Sequence, residues 1–224
     1  LNQNNHLIEM ADVVAPHIVE TWVKGWSLAR EVPPPVPYGS GFRTELGWAD
    51  AKTRYVFPAL SQECHTLAGT IHEPYVFIKV CAPAEALAAL LPAPWEITTH
   101  AFMMACPGPM GSPKHPLPPG YRLEVITAAP VFIVRILTAD GEEAAIGRIA
   151  ITDGYAIYDR IATQPDHQRR GLGSIVMKAL EETALANGVS QGLLVATPEG
   201  KALYESLNWQ FLCPYTTAAI PAEK

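Results

Sequence analysis

The chain carries no CxxC pair and no finger-type spacing among its four cysteines, Cys64, Cys81, Cys106 and Cys213. Neither a zinc module nor a dithiol redox centre is therefore encoded, and no metal is expected. Three of the four sit among apolar neighbours, which predicts buried free thiols and a reducing, cytoplasmic compartment. Charge is also scarce, at 17% of residues, and the formal net charge of −6 offers no general attraction to nucleic acid or to an anionic membrane. If it biases anything, it mildly favours a cationic partner such as an amine. No uninterrupted apolar run approaches the ~20 residues needed to span a bilayer. The opening Leu1-Asn2-Gln3-Asn4-Asn5 lacks the basic start and apolar centre of a signal peptide. Low-complexity tracts and recognisable internal repeats are missing too. The expectation is a soluble chain that meets neither membrane nor nucleic acid.

What is present is apolar: 49% of 224 residues, enough for one large domain or two small ones. From Leu7 to Arg30, Met10, Val14, Ile18, Trp22 and Trp26 recur at helical spacing. Pro16 either kinks that helix or begins a new one. Two tryptophans on one stripe read as core. The run Pro33-Pro34-Pro35-Val36-Pro37 must be extended, whereas 41–57 is ambiguous. A short helix is expected from Pro58 to about Ala68, then a strand at Tyr75–Val80, a helix at Ala84–Leu91 and a strand at Trp95–Met104.

Residues 107–120 hold six prolines and three glycines. They predict an irregular connection between an N-terminal part, 1–106, and a C-terminal part, 121–224, with a lid as the functional alternative to a plain linker. Strands follow at Tyr121–Ala128, Val131–Thr138, Ala144–Thr152 and Tyr155–Thr163. Hairpin signals at Ala139-Asp140-Gly141-Glu142 and Asp153-Gly154 join the last three. A helix over Gly171–Ala186, a strand at Gln191–Ala196, a helix from Pro198 to Asn208 and a strand at Gln210–Thr216 complete an α+β order.

The stretch with chemistry in it is Ile161-Ala162-Thr163-Gln164-Pro165-Asp166-His167-Gln168-Arg169-Arg170-Gly171-Leu172-Gly173-Ser174. A strand feeds a cationic loop, and two glycines open a long helix. Free N–H groups and the positive end of the helix dipole make an anion site there, and arginines add phosphate-directed charge. The dinucleotide fingerprint fails because position 176 is valine, and the Walker A spacing is absent. A glycine-loop nucleotide binder is disfavoured accordingly.

Instead, Gln168, Gly171 and Gly173 fill the fixed places of Q/R-x-x-G-x-G/A, and the stretch resembles the pyrophosphate loop of the GNAT acyltransferases. Ile161-Ala162-Thr163 with Pro165 is similar to that family's fourth strand and the proline after it. Ala202-Leu203-Tyr204-Glu205-Ser206-Leu207-Asn208-Trp209 is similar to its "LYekLGF" helix end. The likeness covers roughly 121–217. It implies a mixed, mostly antiparallel central sheet flanked by helices, with the N-terminal α/β part packed against it. It further implies an acyl-CoA donor, acetyl-CoA by default, and transfer to an amine on a small molecule or peptide. Edge strands of such folds often pair, which is compatible with a homodimer.

By position, the resemblance assigns the thioester carbonyl and pantetheine amides to the backbone of Ile161, Ala162 and Thr163. The pyrophosphate falls to Gln168, Arg169, Arg170, Gly171, Leu172, Gly173 and Ser174. Tyr204 stands where the family often keeps a phenol that protonates the departing thiolate; a packing tyrosine is its other reading. Asp159, two residues before Ile161 and expected on the same strand face, is the first choice of general base, its other role being a pair with Arg160 or Arg148. Glu124, Glu142, Glu143, His72 and His100 are poorer candidates. The chain departs from the family at Thr197, Gly200, Asn208 and Trp209, where Asn, Ala, Gly and Phe are common. It also lacks the two helices usual between the first two strands, so the acceptor side is expected to come from 1–106. Two rivals remain: a thiol hydrolase using Cys64 with a histidine, and a sensor that binds acyl-CoA without turnover.

Overall fold

The computed structural model describes residues 14–222. It begins with α1 (Pro16–Ala29), which carries Pro16 at its first position, where a missing N–H breaks no helical bond. Pro16 thus starts a helix rather than kinking one, and the part of the expected helix at 7–13 lies outside the described residues. Then follow β1 (Val36–Tyr38), β2 (Gly41–Trp48), β3 (Ala51–Phe57), α2 (Gln62–Thr70), β4 (Val76–Val80), α3 (Ala84–Leu90) and β5 (Glu96–Cys106). The second half holds β6 (Tyr121–Ala128), β7 (Val131–Thr138), β8 (Glu143–Thr152), β9 (Tyr155–Thr163), α4 (Leu172–Ala186), β10 (Gln191–Ala196), α5 (Pro198–Ser206) and β11 (Gln210–Ala219). The ambiguous 41–57 is the β2–β3 hairpin, and α2 starts four residues later than Pro58 suggested.

All eleven strands form one sheet, in the order β1-β2-β3-β4-β11-β5-β10-β9-β8-β7-β6. The two halves repeat one another. Each has antiparallel strands, a helix, a strand parallel to the last of them, a second helix and a final strand. The parallel pairs are β3–β4 and β9–β10. Each final strand then leaves its own half. β5 pairs with β10, β11 pairs with β4, and the two meet antiparallel at the centre. The expectation of no internal repeat is corrected here: the repeat lies in the order of elements, not in the residues. The sheet runs unbroken through the division at 107–120.

Helix α1 touches β8 and β9 of one half and β2 and β3 of the other. With strands ~4.8 Å apart, β3 and β9 would lie ~24 Å apart on a flat sheet, so the sheet wraps round this helix. Val19, Trp22, Val23 and Trp26 form a core there with Val56, Met103, Ile157, Leu193 and Tyr215. The opposite face of β7, β8 and β9 is covered by α4, through Leu172, Val176, Met177 and Leu180 against Val134, Ile136 and Ile149.

The proline-rich connection is clamped rather than loose. The buried Glu181 carboxylate of α4 accepts the N–H of Met110 and the ammonium of Lys178, and Lys178 also donates to the Met110 carbonyl at 3.3 Å. Met110 itself enters the α4 core. This stretch is a strap along α4.

Gly25 is the closest approach of α1 to β9. A methyl added there would lie 2.1 Å from Cγ1 and 2.6 Å from Cβ of Ile157. Alanine would gain up to ~1 kcal/mol of helix propensity, but overpacking against a branched, backbone-anchored carbon costs ~1–3 kcal/mol. Gly25→Ala is therefore expected to lower the melting temperature by a few degrees in a thermal unfolding scan, where a neutral surface Gly→Ala would raise it.

Candidate active site

The parallel pair β9–β10 is joined only at Tyr155–Ile157 against Gln191–Leu193. Beyond Ile157 the two strands part, and the later residues of β9 keep only β8 as a partner. Such a fork leaves backbone N–H and C=O groups facing a gap, where a ligand with amides of its own can satisfy them. At the mouth of the fork the chain turns through Pro165–His167 into α4. Gly171 precedes the helix at φ +77° in the left-handed region, and no side chain caps the first turn. The opening N–H groups of α4 therefore point into the gap unclaimed.

The gap is a cleft of about 600 Å³ lined by Ile161, Ala162, Thr163, Gln168, Arg169, Gly171, Leu172, Gly173, Ser174, Glu199, Gly200, Leu203 and Tyr204. Every residue expected to hold a coenzyme lies here except Arg170. That guanidinium turns aside to the Tyr121 hydroxyl at 2.8 Å and the Asp166 carbonyl at 3.0 Å. Arg169 remains on the cleft wall with φ +61°. Gln168 donates to the Thr163 carbonyl at 3.4 Å and ties the two ends of the loop together. An added methyl at Gly173 would stand 3.1 Å from Leu203, so this glycine also sets how closely α4 meets α5. Glu199, Gly200 and Leu203 were not among the expected site residues, although Gly200 lies one turn before Tyr204 on the same helix face.

Tyr204 is 8% exposed and turns its ring toward Gly200, where a methyl would come within 3.1 Å. Glycine in place of the family's alanine leaves room for the phenol. Burial, helped by the charge of Asp159, pushes the Tyr204 pKa up to about 12. Thr197, where Asn is common, caps α5 by accepting the Gly200 N–H at 3.2 Å. Asn208 takes the left-handed stop at φ +68°, and Trp209 is a buried plug stacked edge-on to Tyr158.

Asp159 is placed differently from expectation. Arg160 adopts φ +53°, and the β8–β9 register slips between Ile146 and Arg148. This bulge reverses the alternation of side chains: Ile161 packs with the α4 core, and Asp159 turns to the α1 side. There both its oxygens are taken by Arg30, at 2.6 and 3.0 Å. Arg148, its partner across the strands, donates instead to the last carbonyl of α1, at Ala29. The weaker candidates stand elsewhere: Glu124 pairs with Arg122 and Arg135, Glu142, His72 and His100 are exposed, and Glu143 is half-buried at the start of β8. Cys64 is buried, with its thiol pushed up by burial, which suits packing rather than nucleophilic attack. Among the described residues no cluster of metal-ligating side chains is present, and no helix is long and apolar enough to cross a membrane.

Residues 131–211 match the family described as acetyltransferase (GNAT) domain. Residues 131–211 form a GNAT domain. An uncharacterised N-acetyltransferase of Bacillus subtilis (strain 168), YjcF, is 34% identical over 89 residues, 38% of this chain. The match spans 64% of that relative's length. Solved structures extend the likeness of fold to both halves. A GCN5-related N-acetyltransferase from Kribbella flavida superposes with a TM-score of 0.66 at 15% identity, covering 95% of this chain and 98% of its own. A tandem GNAT protein from the clavulanic acid biosynthesis pathway does so with a TM-score of 0.54 at 13% identity, covering 96% and 97%.

The N-terminal half repeats the frame of the GNAT domain without the fork. β3 and β4 stay paired from Thr53–Val76 to Phe57–Val80. The loop Pro58-Ala59-Leu60-Ser61 has no glycine. The first turn of α2 carries Glu63, whose carboxylate accepts the Ser40 N–H at 2.7 Å, an anion at the place where a phosphate would sit. The repeated frame therefore has a fork in one half and not in the other, and titration calorimetry with acetyl-CoA is expected to give a stoichiometry of one. Gly171→Val should weaken that binding at least about tenfold, since a left-handed residue with a side chain costs ~1–2 kcal/mol.

Proposed function

We propose that the chain transfers a short acyl group, acetyl in the first instance, from its CoA thioester to a primary amine by direct attack. The observation that carries this reading is the convergence on one cleft of a strand fork, an uncapped helix start and a buried phenol. The fork suits the amide-bearing pantetheine arm. The opening N–H groups of α4, with Arg169, suit the diphosphate. Tyr204 stands on the far wall, where the sulfur of an arm threaded through the fork would arrive.

The chemistry asked of the protein is modest. The amine must reach the thioester carbonyl with its lone pair free, and removing a proton from an alkylammonium at neutral pH costs about 4–5 kcal/mol. The acceptor side offers Asp159 for that proton, and Arg30 must yield one of the two oxygens it holds. Water relays the proton otherwise. As the tetrahedral adduct collapses, the C–S bond breaks and the thiolate needs a proton, which the Tyr204 phenol donates. With a pKa near 12 the phenol is fully protonated across the physiological range and is lost as a donor only as pH rises through that value.

Transfer is expected to release free thiol when acetyl-CoA is mixed with a panel of amines, and kcat/KM should climb from pH 6 to 9.5, as more amine is unprotonated, with no falling limb from Tyr204. Tyr204→Phe should lower kcat about 10²-fold with acetyl-CoA affinity unchanged. Unaltered turnover in that variant rejects the acid role. Tight acetyl-CoA binding with no thiol release for any amine would make the protein an acyl-CoA-binding module instead.

A further inference from the structure

On the α1 side of the sheet, beyond Asp159, lies a group of cations that the acyl-transfer chemistry does not use. Arg54 of β3 stacks on the Trp26 ring, its guanidinium carbon 3.6 Å from the ring centre, and Arg30 approaches the same ring at 5.2 Å. Lys79 of β4 points to the same place, its ammonium 2.7 Å from the Thr217 hydroxyl and 5.8 Å from the Tyr215 ring. The charged ends of Arg54 and Lys79 lie deep in the fold, yet both side chains keep part of their surface open to solvent. That combination describes the floor of a recess.

The recess is short of negative charge. Arg54 makes no hydrogen bond to any acceptor among the described residues, and its Nε is buried and unsatisfied, as is the Tyr215 hydroxyl. Lys79 has a neutral hydroxyl for a partner. Asp159 is the one carboxylate whose charge reaches Arg54, and Arg30 occupies both its oxygens. Around Lys79 the charges felt are those of Arg54 and Arg30, which with burial hold its pKa well below the usual lysine value. Buried cations without a counter-charge are destabilising unless an anion completes them.

We propose that this recess binds an anionic group of the acceptor, so that the amine to be acylated is an amino acid or related amine bearing a carboxylate or phosphate. Arg54 and Lys79 hold the anion, and Asp159, held by the Arg30 that shares the Trp26 ring with Arg54, meets the ammonium group. The proposal rests on the acyl-transfer reading for the word acceptor. It refines the small cationic bias of the overall charge: the acceptor side is locally positive.

Two measurements keep the two readings apart. In the first, thiol release is followed for matched pairs: α-amino acids against their α-amides, and phosphoethanolamine against ethanolamine. The acid member is expected to show a KM at least about tenfold lower, and Arg54→Gln or Lys79→Met should erase that preference while acetyl-CoA still binds in calorimetry. The carboxylate and phosphate arms identify which anion is used. In the second, the same acids are added in a thermal shift assay without acetyl-CoA. At least one should stabilise the wild type and fail to stabilise Lys79→Met. Lys79→Met removes a buried basic group that has no counter-charge among the described residues and should itself melt a few degrees higher than the wild type, so misfolding does not cloud the result. Equal transfer to acids and amides, or acids that stabilise Lys79→Met as well as the wild type, overturns the anion site and leaves the transferase standing. Stabilisation lost in Lys79→Met with no transfer to any amine leaves the anion site standing and removes the transferase.

Discussion

Everything at the candidate site depends on two parallel strands that stop pairing. β9 and β10 exchange bonds as far as Ile157 and Leu193, and past that point one edge of β9 is bare. In a sheet interior that is costly, because backbone groups out of water need partners. Three features hold the fork open. The bulge at Arg160 turns the strand, Gln168 closes the loop against Thr163, and Leu203 of α5 meets α4 at Gly173, so the helices behind the gap cannot slide together to fill it. The N-terminal half tests this reasoning within the same molecule. There the equivalent pair is zipped to its end, and Phe57, Val80 and Leu87 are fully buried in the space below.

The exchange of final strands makes the two halves interdependent. β5 pairs with the edge of β10 that faces away from β9, and β11 pairs with the edge of β4 that faces away from β3. Helix α1, from the N-terminal half, lies across strands of both, and its last residues present Arg30 to Asp159. The cleft is therefore lined by the GNAT domain alone, whereas the α1 side of the sheet is built jointly. This resolves the missing pair of helices between β6 and β7. The turn Ala129-Pro130 needs to hold nothing, because α1 arrives from elsewhere in the chain.

Much of this was legible in the residues. The strands from Tyr121 to Thr163, the helix ending at Ala186 and the glycine loop before it were all read at or near their observed bounds, since each is written in local signals: alternation, turn pairs and glycines. The bulge at Arg160 was not legible, because nothing in Tyr-Asp-Arg-Ile marks a positive φ on arginine, and strict alternation put Asp159 and Ile161 on one face. Arg30 as the partner of Asp159 was invisible for another reason: the two lie 129 positions apart and meet only because the sheet curls round α1. The internal repeat was hidden because the two halves share a frame and not a pattern. Where the GNAT domain has Gln168, Gly171 and Gly173, the other half has a short glycine-free loop and Glu63.

The same comparison bears on why Arg54 and Lys79 are present at all. Packing does not ask for them. The core on the α1 side holds Val56, Met103, Ile157, Leu193 and Cys213, all apolar and buried, and an aliphatic chain at either position would suit that surface. Stacking on Trp26 recovers part of the cost of burying Arg54, as a cation over an aromatic face is worth ~1–2 kcal/mol, but it leaves Nε without an acceptor. Lys79 lacks even that, since its ring contacts are distant. A domain whose net stability is ~5–15 kcal/mol keeps here two buried basic groups, one of them held by burial well below the usual lysine pKa, that the fold could do without. An aliphatic core would be the more stable answer if stability were the only demand, and the proposed anion site gives these basic side chains on the α1 side a reason that packing does not.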